Sequence, residues 1–370
     1  MSNFRVGLKK VIDDSYDIEI GYELEEKLVE DLKKGLVGGL HKFAVVTDDI
    51  VERLHGQKIC ELLQQAGFTS KLFVIPNGEK SKVRKTKEQI EDAMLLEGFR
   101  RDCCVLAVGG GVVTDLAGFT AGTFGRGVPF INYATTLLAA ADASIGGKTA
   151  VDTPLATNLI GIFNQPKKVY VDIAAWKTLP KRQLVSGLAE TIKHACMADE
   201  EFFRYLEAHM EDIFSFEPEV CMHISEVNCK IKYEVVMQDE KEKGLREVLN
   251  LGHTVGRAIE TVSDYRLLHG EALGIGLAAE VRLGNSYGYI STGEMERVLC
   301  LLQKAGLPTA IPDYIDKEEL VQKLYTDKKV RDGALRFVFQ KGIGGVMGFG
   351  EDNYARPVTE EDARNVIMTM

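Results

Sequence analysis

The sequence lacks the long apolar runs, the paired cysteines and the basic surplus that mark several large protein classes. No run of about 18 apolar residues occurs in the chain of 370 residues, which argues against a membrane-spanning helix. The opening residues, MSNFRVGLKKVIDD, have no apolar core of the kind that signal peptides carry. Together these absences favour a cytoplasmic protein without a membrane partner.

Cysteine usage and charge narrow the class further. The seven cysteines are odd in number and show no C-x-x-C spacing, so we expect reduced thiols. Acidic residues outnumber basic residues by 55 to 45, which gives a formal net charge of −10. Because a phosphate backbone requires a basic surface, this surplus argues against a nucleic-acid partner. An anionic small molecule would have to be met by a local basic cluster.

The chain is long enough for two domains and changes character near its middle. Strand and helix patterns alternate from KFAVVTDD to KKVYVDI, which predicts a parallel sheet of at least five strands wrapped by helices. Before them, FRVGLKKV and DSYDIEIGY are typical of a short antiparallel pair at the sheet edge.

From about residue 181 onward the periodicity is almost entirely helical. One strand pair is predicted within LRFVFQKGIGGVMGFG. We therefore expect an α/β domain over residues 1–180 and a mainly helical domain over residues 181–370, packed closely with a cleft between them.

Three glycines, Gly109, Gly110 and Gly111, follow a predicted strand and precede a predicted helix. Backbone N–H groups at such a helix start, with no Cβ atoms in the way, can cradle a phosphate or pyrophosphate. The spacing is not the G-x-G-x-x-G fingerprint, so a tight turn is the alternative interpretation. Further polar residues follow strands at the edge where open α/β sheets bind ligands, which favours a cofactor. These residues are Asp48, Gly78, Glu79, Lys82 and Asp115.

Three possible metal ligands occur in the helical half: Glu190 in GLAETIKH, His253 in NLGHTVG and His269 in LLHGEA. Two histidines and one carboxylate leave a fourth coordination position open, which is typical of catalytic zinc. A histidine satisfied within a core is the alternative for each of the two. The neighbouring Gly252 and Gly270 weaken that alternative, because they indicate a close approach of backbone.

Basic and amide side chains accompany these ligands. Arg246, Asn250, His253 and Arg257 follow one another at spacings of four, three and four residues, and on one continuous helix they would form a single stripe. A solvated charged face is the alternative, but the intervening EVLNLGHTVG is largely apolar. Further lysines of this basic set are Lys148, Lys193 and Lys232. The pattern indicates a metal site beside a group of anion-binding cations.

Five motifs, in this order, resemble those of the 3-dehydroquinate synthase family of the shikimate pathway: GGGVVTDLAGFTAGTFGRGVPF, TTLLAAADASIGGKTAVDTP, GLAETIKH, LNLGHT and LLHGEA. The resemblance covers about residues 40–345. It implies an α/β N-terminal domain whose parallel sheet binds NAD, an all-α C-terminal domain that binds a metal, and a homodimer. The implied enzyme is a carbon–oxygen lyase.

The resemblance implies 3-deoxy-D-arabino-heptulosonate 7-phosphate as the substrate. NAD would oxidise this sugar transiently, and the oxidised sugar would lose inorganic phosphate. The product would then be reduced again, its ring would open, and an aldol reaction would close the carbocycle of 3-dehydroquinate. The protein would mainly supply positioning and charge stabilisation.

The resemblance also implies roles for individual residues. An NAD site would be lined by Asp48, Glu79, Lys82, Gly110, Gly111, Val112, Asp115, Thr135, Thr136, Leu138, Thr178, Leu179 and Gln183. Zinc or cobalt would be bound by Glu190, His253 and His269. Substrate would be held by Asp142, Lys148, Asn158, Lys193, Lys232, Arg246, Asn250, Arg257 and either Lys328 or Lys329, and Arg126 would reach the phosphate in the partner subunit.

Three positions depart from the family pattern. Arg257 stands where a second histidine is usual, Thr157 where a lysine is usual, and Ile50 where an asparagine is expected. The arginine keeps a positive charge in the substrate-phosphate pocket but removes a group that can shuttle protons near pH 7. We expect Thr157 and Ile50 to weaken contacts with NAD or within the site.

Several alternatives stay open. Other sugar-phosphate cyclases, including an aminodehydroquinate synthase, use the same chemistry on different sugars, and Arg246 with Asn250 favours a substrate that carries a carboxylate. Polyol dehydrogenases of the iron-dependent type share the implied two-domain fold but lack the cations of SIGGKTA and LREVLNLGH. A non-catalytic dimeric paralogue is disfavoured because Glu190, His253 and His269 are all retained.

Overall fold

The protein is described here by a computed structural model that covers residues 5, 7–8, 11–326, 330–331 and 334–370. Among these residues, eight strands lie in the first half of the chain. They are β1 Asp17–Gly21, β2 Lys42–Asp48, β3 Thr69–Ile75, β4 Cys103–Gly109, β5 Phe130–Ala134, β6 Lys148–Thr153, β7 Ala156–Phe163 and β8 Lys168–Asp172.

Six of these strands form one parallel sheet in the order β1-β8-β5-β4-β2-β3. Its central strand β4 is buried along its whole length, and β5 and β8 are buried likewise. Strands covered on both faces are apolar continuously rather than alternately, as CCVLAVG shows. The remaining two strands, β6 and β7, form a separate antiparallel hairpin. The predicted parallel sheet of at least five strands is confirmed.

Helices connect the strands of the sheet. They are α1 Glu25–Lys33, α2 Gln57–Gln65, α3 Arg84–Leu96 and α4 Gly111–Thr123. Shorter helical turns cover Glu52–Gly56, Glu79–Ser81, Phe124–Arg126, Ala139–Ala143 and Ile173–Thr178. Apolar clusters lie on both faces of the sheet: one contains Val105 and Leu116, and the other contains Leu106 and Leu63.

The predicted antiparallel pair at the sheet edge is wrong for the segment DSYDIEIGY. Its residues Asp17–Gly21 pair in parallel with Lys168–Asp172, and Ile18 is the partner of Val169. Several residues of FRVGLKKV lie outside the described residues. The first strand therefore pairs with a strand about 150 residues later, which no local pattern reveals.

The second half of the chain is mainly helical. Its helices are α5 Lys181–Ala198, α6 Glu200–Phe214, α7 Pro218–Gln238, α8 His253–Val262, α9 His269–Ser286, α10 Thr292–Lys304, α11 Lys317–Thr326 and α12 Glu360–Thr369, with a 3-10 helix at Leu245–Asn250. Among the described residues, no helix is long and apolar enough to cross a membrane.

An all-α C-terminal domain is too simple a description. Strands β9 Val330–Arg331, β10 Ala334–Val338 and β11 Ala355–Val358 form a small antiparallel sheet in the order β11-β10-β9. The predicted strand pair is confirmed for β10, but the main partner of β10 is β11 and not GVMGFG. That segment contributes only the isolated bridge between Gln340 and Val346.

One apolar cluster is shared by the two halves of the chain. It joins Val169 and Val171 of β8 to Leu188 and Ile192 of α5, and it includes the fully buried Trp176 between them. Burial of apolar surface across this junction fixes α5 against the edge of the sheet. The helices that carry the candidate site are thereby held beside the strand ends.

Candidate active site

The carboxyl ends of the parallel strands meet at one edge of the sheet. Pairing sets Asp48 at the end of β2 beside Ile75 at the end of β3, and Gly109 at the end of β4 beside Ala134. Open α/β sheets bind ligands at this edge. Of the predicted NAD residues, Asp48 ends β2. The others lie in the loops that leave this edge or in the helices that follow: Glu79, Lys82, Gly110, Gly111, Val112, Asp115, Thr135, Thr136, Leu138, Thr178, Leu179 and Gln183.

The glycine loop joins β4 to α4 by close packing rather than by a left-handed turn. Gly110 has φ −88° and caps α4. A Cβ atom at Gly110 would lie 3.1 Å from the Thr136 side chain, and one at Gly109 would lie 2.7 Å from Val113. The first N–H groups of α4 follow directly, and such groups bind phosphate oxygens. The loop therefore fits a dinucleotide cofactor.

A buried lysine links the loop after β3 to α4. The Lys82 ammonium lies 2.7 Å from Asp115 Oδ2 and 3.1 Å from Glu79 Oε1. Burial opposes the charge of Lys82, but Asp115, Glu79 and Asp152 outweigh it and hold the pKa of this lysine well above its ordinary value. Burial also raises the pKa of Asp115 to about 6, against the effect of Lys82. Ionised carboxylates here can accept hydrogen bonds from hydroxyl groups of a cofactor.

The three predicted metal ligands converge from three helices. Glu190 lies on α5, His253 is the first residue of α8, and His269 is the first residue of α9. Their ligand atoms all lie within 4.8 Å of one another. His253 Nε2 is 3.4 Å and His269 Nε2 is 3.1 Å from Glu190 Oε1, so both ring nitrogens face one point.

The outer nitrogens of both histidines have partners of their own. His269 Nδ1 lies 3.0 Å from Glu260 Oε1, and His253 Nδ1 lies 3.2 Å from the Leu251 carbonyl oxygen. These acceptors favour the tautomer with the proton on Nδ1, which leaves Nε2 free for a metal. The donor set fits a divalent zinc-type ion with one position open for a ligand.

Electrostatics at this cluster differ between the two rings. Burial lowers the pKa of His253 to about 3. Burial also disfavours the charged form of His269, but Glu260 and Glu190 outweigh that effect and raise the pKa of His269 to about 10. Glu190 is fully buried, and the adjacent Lys193 and both histidines hold its pKa well below the ordinary range despite burial.

The condition for a single stripe, one continuous helix, is not met. The 3-10 helix Leu245–Asn250 ends before Leu251, and Gly252 takes φ +80° before α8 begins at His253. A Cβ atom at Gly252 would lie 2.7 Å from Leu273 Cδ1 and 2.8 Å from Leu277 Cδ2. The chain changes direction at this glycine, yet the side chains on both sides of the break still reach one cavity.

That cavity has a volume of about 700 Å³ and lies between the sheet edge and the helices. The structure brings together nearly all of the predicted substrate residues along its walls. They are Asp142, Lys148, Asn158, Lys193, Lys232, Arg246, Asn250 and Arg257, together with His253 of the metal set and Asp115 of the cofactor set. The cavity therefore has the local basic cluster that an acidic protein needs in order to bind an anionic small molecule.

Among the described residues of the predicted substrate set, Arg126 alone is not joined to this cavity. Arg126 lies in the helical turn after α4 with φ +71° and is not among the described residues that line the cavity. Lys328 and Lys329 lie outside the described residues.

Several cavity cations are buried. Arg246 is fully buried and donates to the carbonyl oxygens of Glu240 at 2.6 Å and Gly146 at 2.9 Å. Lys193 has 1% of its side chain exposed and contacts Glu190. Lys232 contacts Asp142, and burial lowers the pKa of Lys232. Such cations, desolvated beforehand, interact strongly with an entering anion.

Sequence reasoning missed several charged residues of the site, among them Glu260, Arg336 and Glu242. Glu260 orients His269, and its position two turns after His253 on α8 could have identified it. Arg336 on β10 lines the cavity, as does Glu242 in the loop before the 3-10 helix. For these two, no periodic pattern in the sequence distinguishes them from surface residues.

Comparison with known protein families gives matches to two family models. Residues 72–186 match the 3-dehydroquinate synthase N-terminal family, and residues 187–330 match the 3-dehydroquinate synthase C-terminal family. Among curated proteins, the 3-dehydroquinate synthase of Caldanaerobacter subterraneus subsp. tengcongensis is 42% identical over 335 residues, which cover 90% of this chain and 93% of that one.

Two solved structures resemble the whole chain. The 2-epi-5-epi-valiolone synthase of Streptomyces hygroscopicus subsp. jinggangensis, with NAD⁺ and Zn²⁺ bound, superimposes with a TM-score of 0.86, 28% identity and 99% coverage of both chains. A 2-deoxy-scyllo-inosose synthase complexed with carbaglucose-6-phosphate, NAD⁺ and Co²⁺ gives a TM-score of 0.81 at 21% identity, with 95% of this chain and 96% of that chain covered. The second likeness concerns the fold alone.

Proposed function

Because this chain belongs to the 3-dehydroquinate synthase family, we propose that it converts 3-deoxy-D-arabino-heptulosonate 7-phosphate to 3-dehydroquinate and inorganic phosphate. The reaction would make it a carbon–oxygen lyase. One observation carries the proposal most directly: the Glu190, His253 and His269 cluster adjoins a cavity lined by cations. A substrate with both a phosphate and a carboxylate needs such a set of cations.

We propose two resident groups, NAD and a divalent metal. Glu190, His253 and His269 would hold zinc or cobalt, and the glycine loop with its neighbouring strand ends would hold NAD. When bound, the metal would supply Lewis-acid polarisation of a substrate hydroxyl, and NAD would supply a hydride acceptor for the carbon that bears this hydroxyl. The fit of the metal rests on the Nε2 atoms of His253 and His269, which both face Glu190 Oε1. The fit of NAD rests on the close packing of Gly110 against Thr136.

The chain's own side chains bind and orient the anionic substrate in this proposal. Arg246 and Asn250 would receive the carboxylate, while Lys148, Asn158 and Arg257 would receive the phosphate. Buried lysines between these groups, Lys193 and Lys232, stabilise negative charge on the sugar ring as it develops. Asp142 contacts Lys232 and lies 3.9 Å from Lys193, so it orients both ammonium groups.

We also propose the assembly and the location. The division into domains at residues 180 and 181 follows the change from strand–helix alternation to helices. In a homodimer, Arg126 of the partner subunit would complete the phosphate pocket. One of Lys328 or Lys329 would complete it as well. A cytoplasmic location is supported by all seven cysteines being free thiols.

Other sugar-phosphate cyclases are the second candidate class. The 28% identity to a 2-epi-5-epi-valiolone synthase shows how widely the architecture is shared. Arg246 is fully buried with its guanidinium at the cavity, which favours a carboxylate-bearing substrate such as that of dehydroquinate or aminodehydroquinate synthases. The buried cations disfavour a polyol dehydrogenase, and the retained ligand cluster disfavours a non-catalytic paralogue.

A turnover assay tests the proposal. The purified protein is mixed with 3-deoxy-D-arabino-heptulosonate 7-phosphate, NAD and zinc, and both phosphate and dehydroquinate are measured. We expect equal amounts of the two products and their loss on adding a chelator. His269→Ala should abolish both, whereas His209→Ala, which removes a histidine paired with Asp212 on α6, should leave turnover unchanged. A metal- and NAD-loaded protein that forms neither product would favour another sugar phosphate.

A further inference from the structure

An ion pair joins the two halves of the chain outside the cavity. The Lys80 ammonium lies 2.8 Å from Asp264 Oδ2. Lys80 belongs to the 3-10 turn Glu79–Ser81 after β3, and Asp264 belongs to the loop between α8 and α9. Neither residue is among the described residues that line the cavity. The pair therefore connects a turn on the cofactor side to the loop that precedes His269.

The turn that carries Lys80 also carries predicted NAD residues. Its backbone N–H groups at Ser81 and Lys82 donate to the carbonyl oxygens of Gly78 and Glu79 at 3.0 and 2.9 Å. Glu79 and Lys82, on either side of Lys80, both belong to the predicted NAD set. Because these residues share one hydrogen-bonded turn, a contact that holds Lys80 in place holds Glu79 and Lys82 as well.

The loop that carries Asp264 has an unusual backbone. Asp264 takes φ +51° and Tyr265 takes φ +57°, conformations that are uncommon for residues with a side chain. The loop is anchored on both sides: the Tyr265 N–H donates to the Glu260 carbonyl oxygen at 3.0 Å, and Arg182 donates to the Arg266 carbonyl oxygen at 2.7 Å. A glycine would adopt φ +51° at no steric cost, so the backbone does not account for an aspartate at position 264.

The next residue, Tyr265, also reaches the first half of the chain. Burial raises the pKa of its hydroxyl to about 12, and three carboxylates raise it as well: Asp152, Glu79 and Glu260. Asp152 and Glu79 come from the first half and Glu260 from the second, so this side chain lies where the two halves meet. The loop therefore meets the first half through two adjacent residues.

We propose that Lys80 and Asp264 form a clasp between the two halves, which holds the cofactor turn against the α8–α9 loop and slows the release of NAD. Both are positioning residues, because they act through Glu79 and Lys82. The inference rests on the proposed NAD site. In this proposal NAD leaves after the turn and the loop separate, so the free energy of the ion pair enters the barrier to release.

Asp264→Asn tests the clasp with little risk to folding. Asparagine has nearly the same shape as aspartate and tolerates a positive φ, but it carries no charge. The probe is NADH, the fluorescent reduced form of the cofactor, displaced from the zinc-loaded full chain by excess NAD in a stopped-flow instrument. We expect the dissociation rate constant to rise about two- to fivefold, the ordinary effect of losing an exposed ion pair.

Lys80→Gln completes a double-mutant cycle. It should raise the rate constant by the same factor, and the double variant should raise it no further, because either change alone breaks the pair. Lys80→Arg, which keeps the charge, should retain the slow release. At about 1 M salt, where the Debye length is about 3 Å, Asp264→Asn should approach the wild type.

Lys71→Gln is the matched control. It breaks another exposed ion pair, between Lys71 and Glu97, that lies wholly within the first half of the chain. Release of NADH should keep its wild-type rate in this variant. An equal acceleration in Lys71→Gln and Asp264→Asn would show a general loss of surface charge and would overturn the clasp.

Two further outcomes would overturn the inference. Equal rates in the wild type and Asp264→Asn would show that the pair does not resist release. Faster release in Lys80→Gln, with none in Asp264→Asn, would show that the lysine binds the cofactor itself.

The measurements also separate this inference from the proposed function. A wild-type chain that binds no NADH would overturn the proposed cofactor site and the clasp with it. A chain that binds NADH but forms no product from the heptulosonate phosphate would overturn only the proposed reaction, since the release rates need no turnover and would still decide the role of Lys80 and Asp264.

Discussion

Arg257 is the cavity residue at which the family resemblance leads us to expect a histidine. It lies on α8 one turn after His253 and lines the cavity wall. A guanidinium presents several donors in a planar fork and stays charged at neutral pH, whereas a histidine loses its charge there. In our proposal, an arginine in place of a histidine makes binding of the substrate phosphate independent of pH. It also removes one side chain that could carry a proton.

Arg257→His should make substrate binding depend on pH. A histidine titrates near pH 6.5 and is charged only below that value, so KM should rise as pH increases from 6 to 8. We expect a rise of about tenfold, the effect of losing one charged hydrogen bond to phosphate. Arg257→Lys, which keeps the charge, should show no such rise. Steady-state KM over this range checks the prediction, and parallel profiles for the two variants would contradict it.

The residues missed from the sequence share a physical cause. Glu190, His253 and His269 could be predicted because chemically distinctive side chains occur beside glycines in recognisable motifs. Glu242 is an ordinary acidic residue in the run QDEKEKG, and only the fold brings it within 2.6 Å of Lys148. Contacts between residues far apart in sequence leave no local periodicity to detect.

At the scale of elements, the break before α8 decides how the site is assembled. A continuous helix would put Arg246 and Arg257 on one stripe, but the turn at Gly252 lets α8 begin at His253. The N–H of Gly252 donates to the buried Glu280 at 2.6 Å, which fixes the turn against α9. The two histidines of the proposed metal site are therefore the first residues of α8 and α9, while Glu190 comes from within α5.

Gly252→Ala should destabilise the protein and loosen the metal site. The new Cβ would lie within 3 Å of Leu273 and Leu277, and the residue would keep φ +80°. We expect a loss of about 1–3 kcal/mol in the free energy of unfolding, together with weaker zinc binding. Urea denaturation of the metal-free protein and a zinc titration measure the two effects separately.

Gly293→Ala is the control for this substitution. A Cβ at Gly293, near the start of α10, would meet nothing within 4 Å. Its free energy of unfolding should stay the same or rise by up to about 1 kcal/mol, because alanine favours the helix. Equal stabilities for the two variants would contradict our account of the turn.

At the scale of the whole molecule, the two halves of the chain share one apolar cluster. Val171 of β8 and Leu188 of α5 belong to the same cluster, so the sheet edge and the metal helices are held together. The proposed metal ligands come from three helices, and the cavity is lined by both halves of the chain. Binding at the site should therefore stabilise the molecule as a unit.

Zinc should raise the melting temperature of the metal-free protein. At a free concentration about 100 times the dissociation constant, a ligand that binds only the folded state adds about 2.7 kcal/mol to stability. Glu190→Gln should lose this increase, because the buried carboxylate faces both histidines. Thermal unfolding with and without zinc checks the prediction, and an equal rise in the variant would show that zinc binds elsewhere.

The sequence by itself determined the classes of element, the glycine loop, the proposed ligand set and most of the cavity cations. These depend on hydrophobic period, on backbone freedom and on side-chain chemistry, all of which act within a few residues. Only the tertiary structure decided that β1 pairs with β8, that β10 pairs with β11, that Gly252 divides the predicted stripe, and that Glu242 joins Lys148 to Asn250. Each of these depends on contacts across long stretches of chain, which packing of the shared core selects and no local pattern encodes.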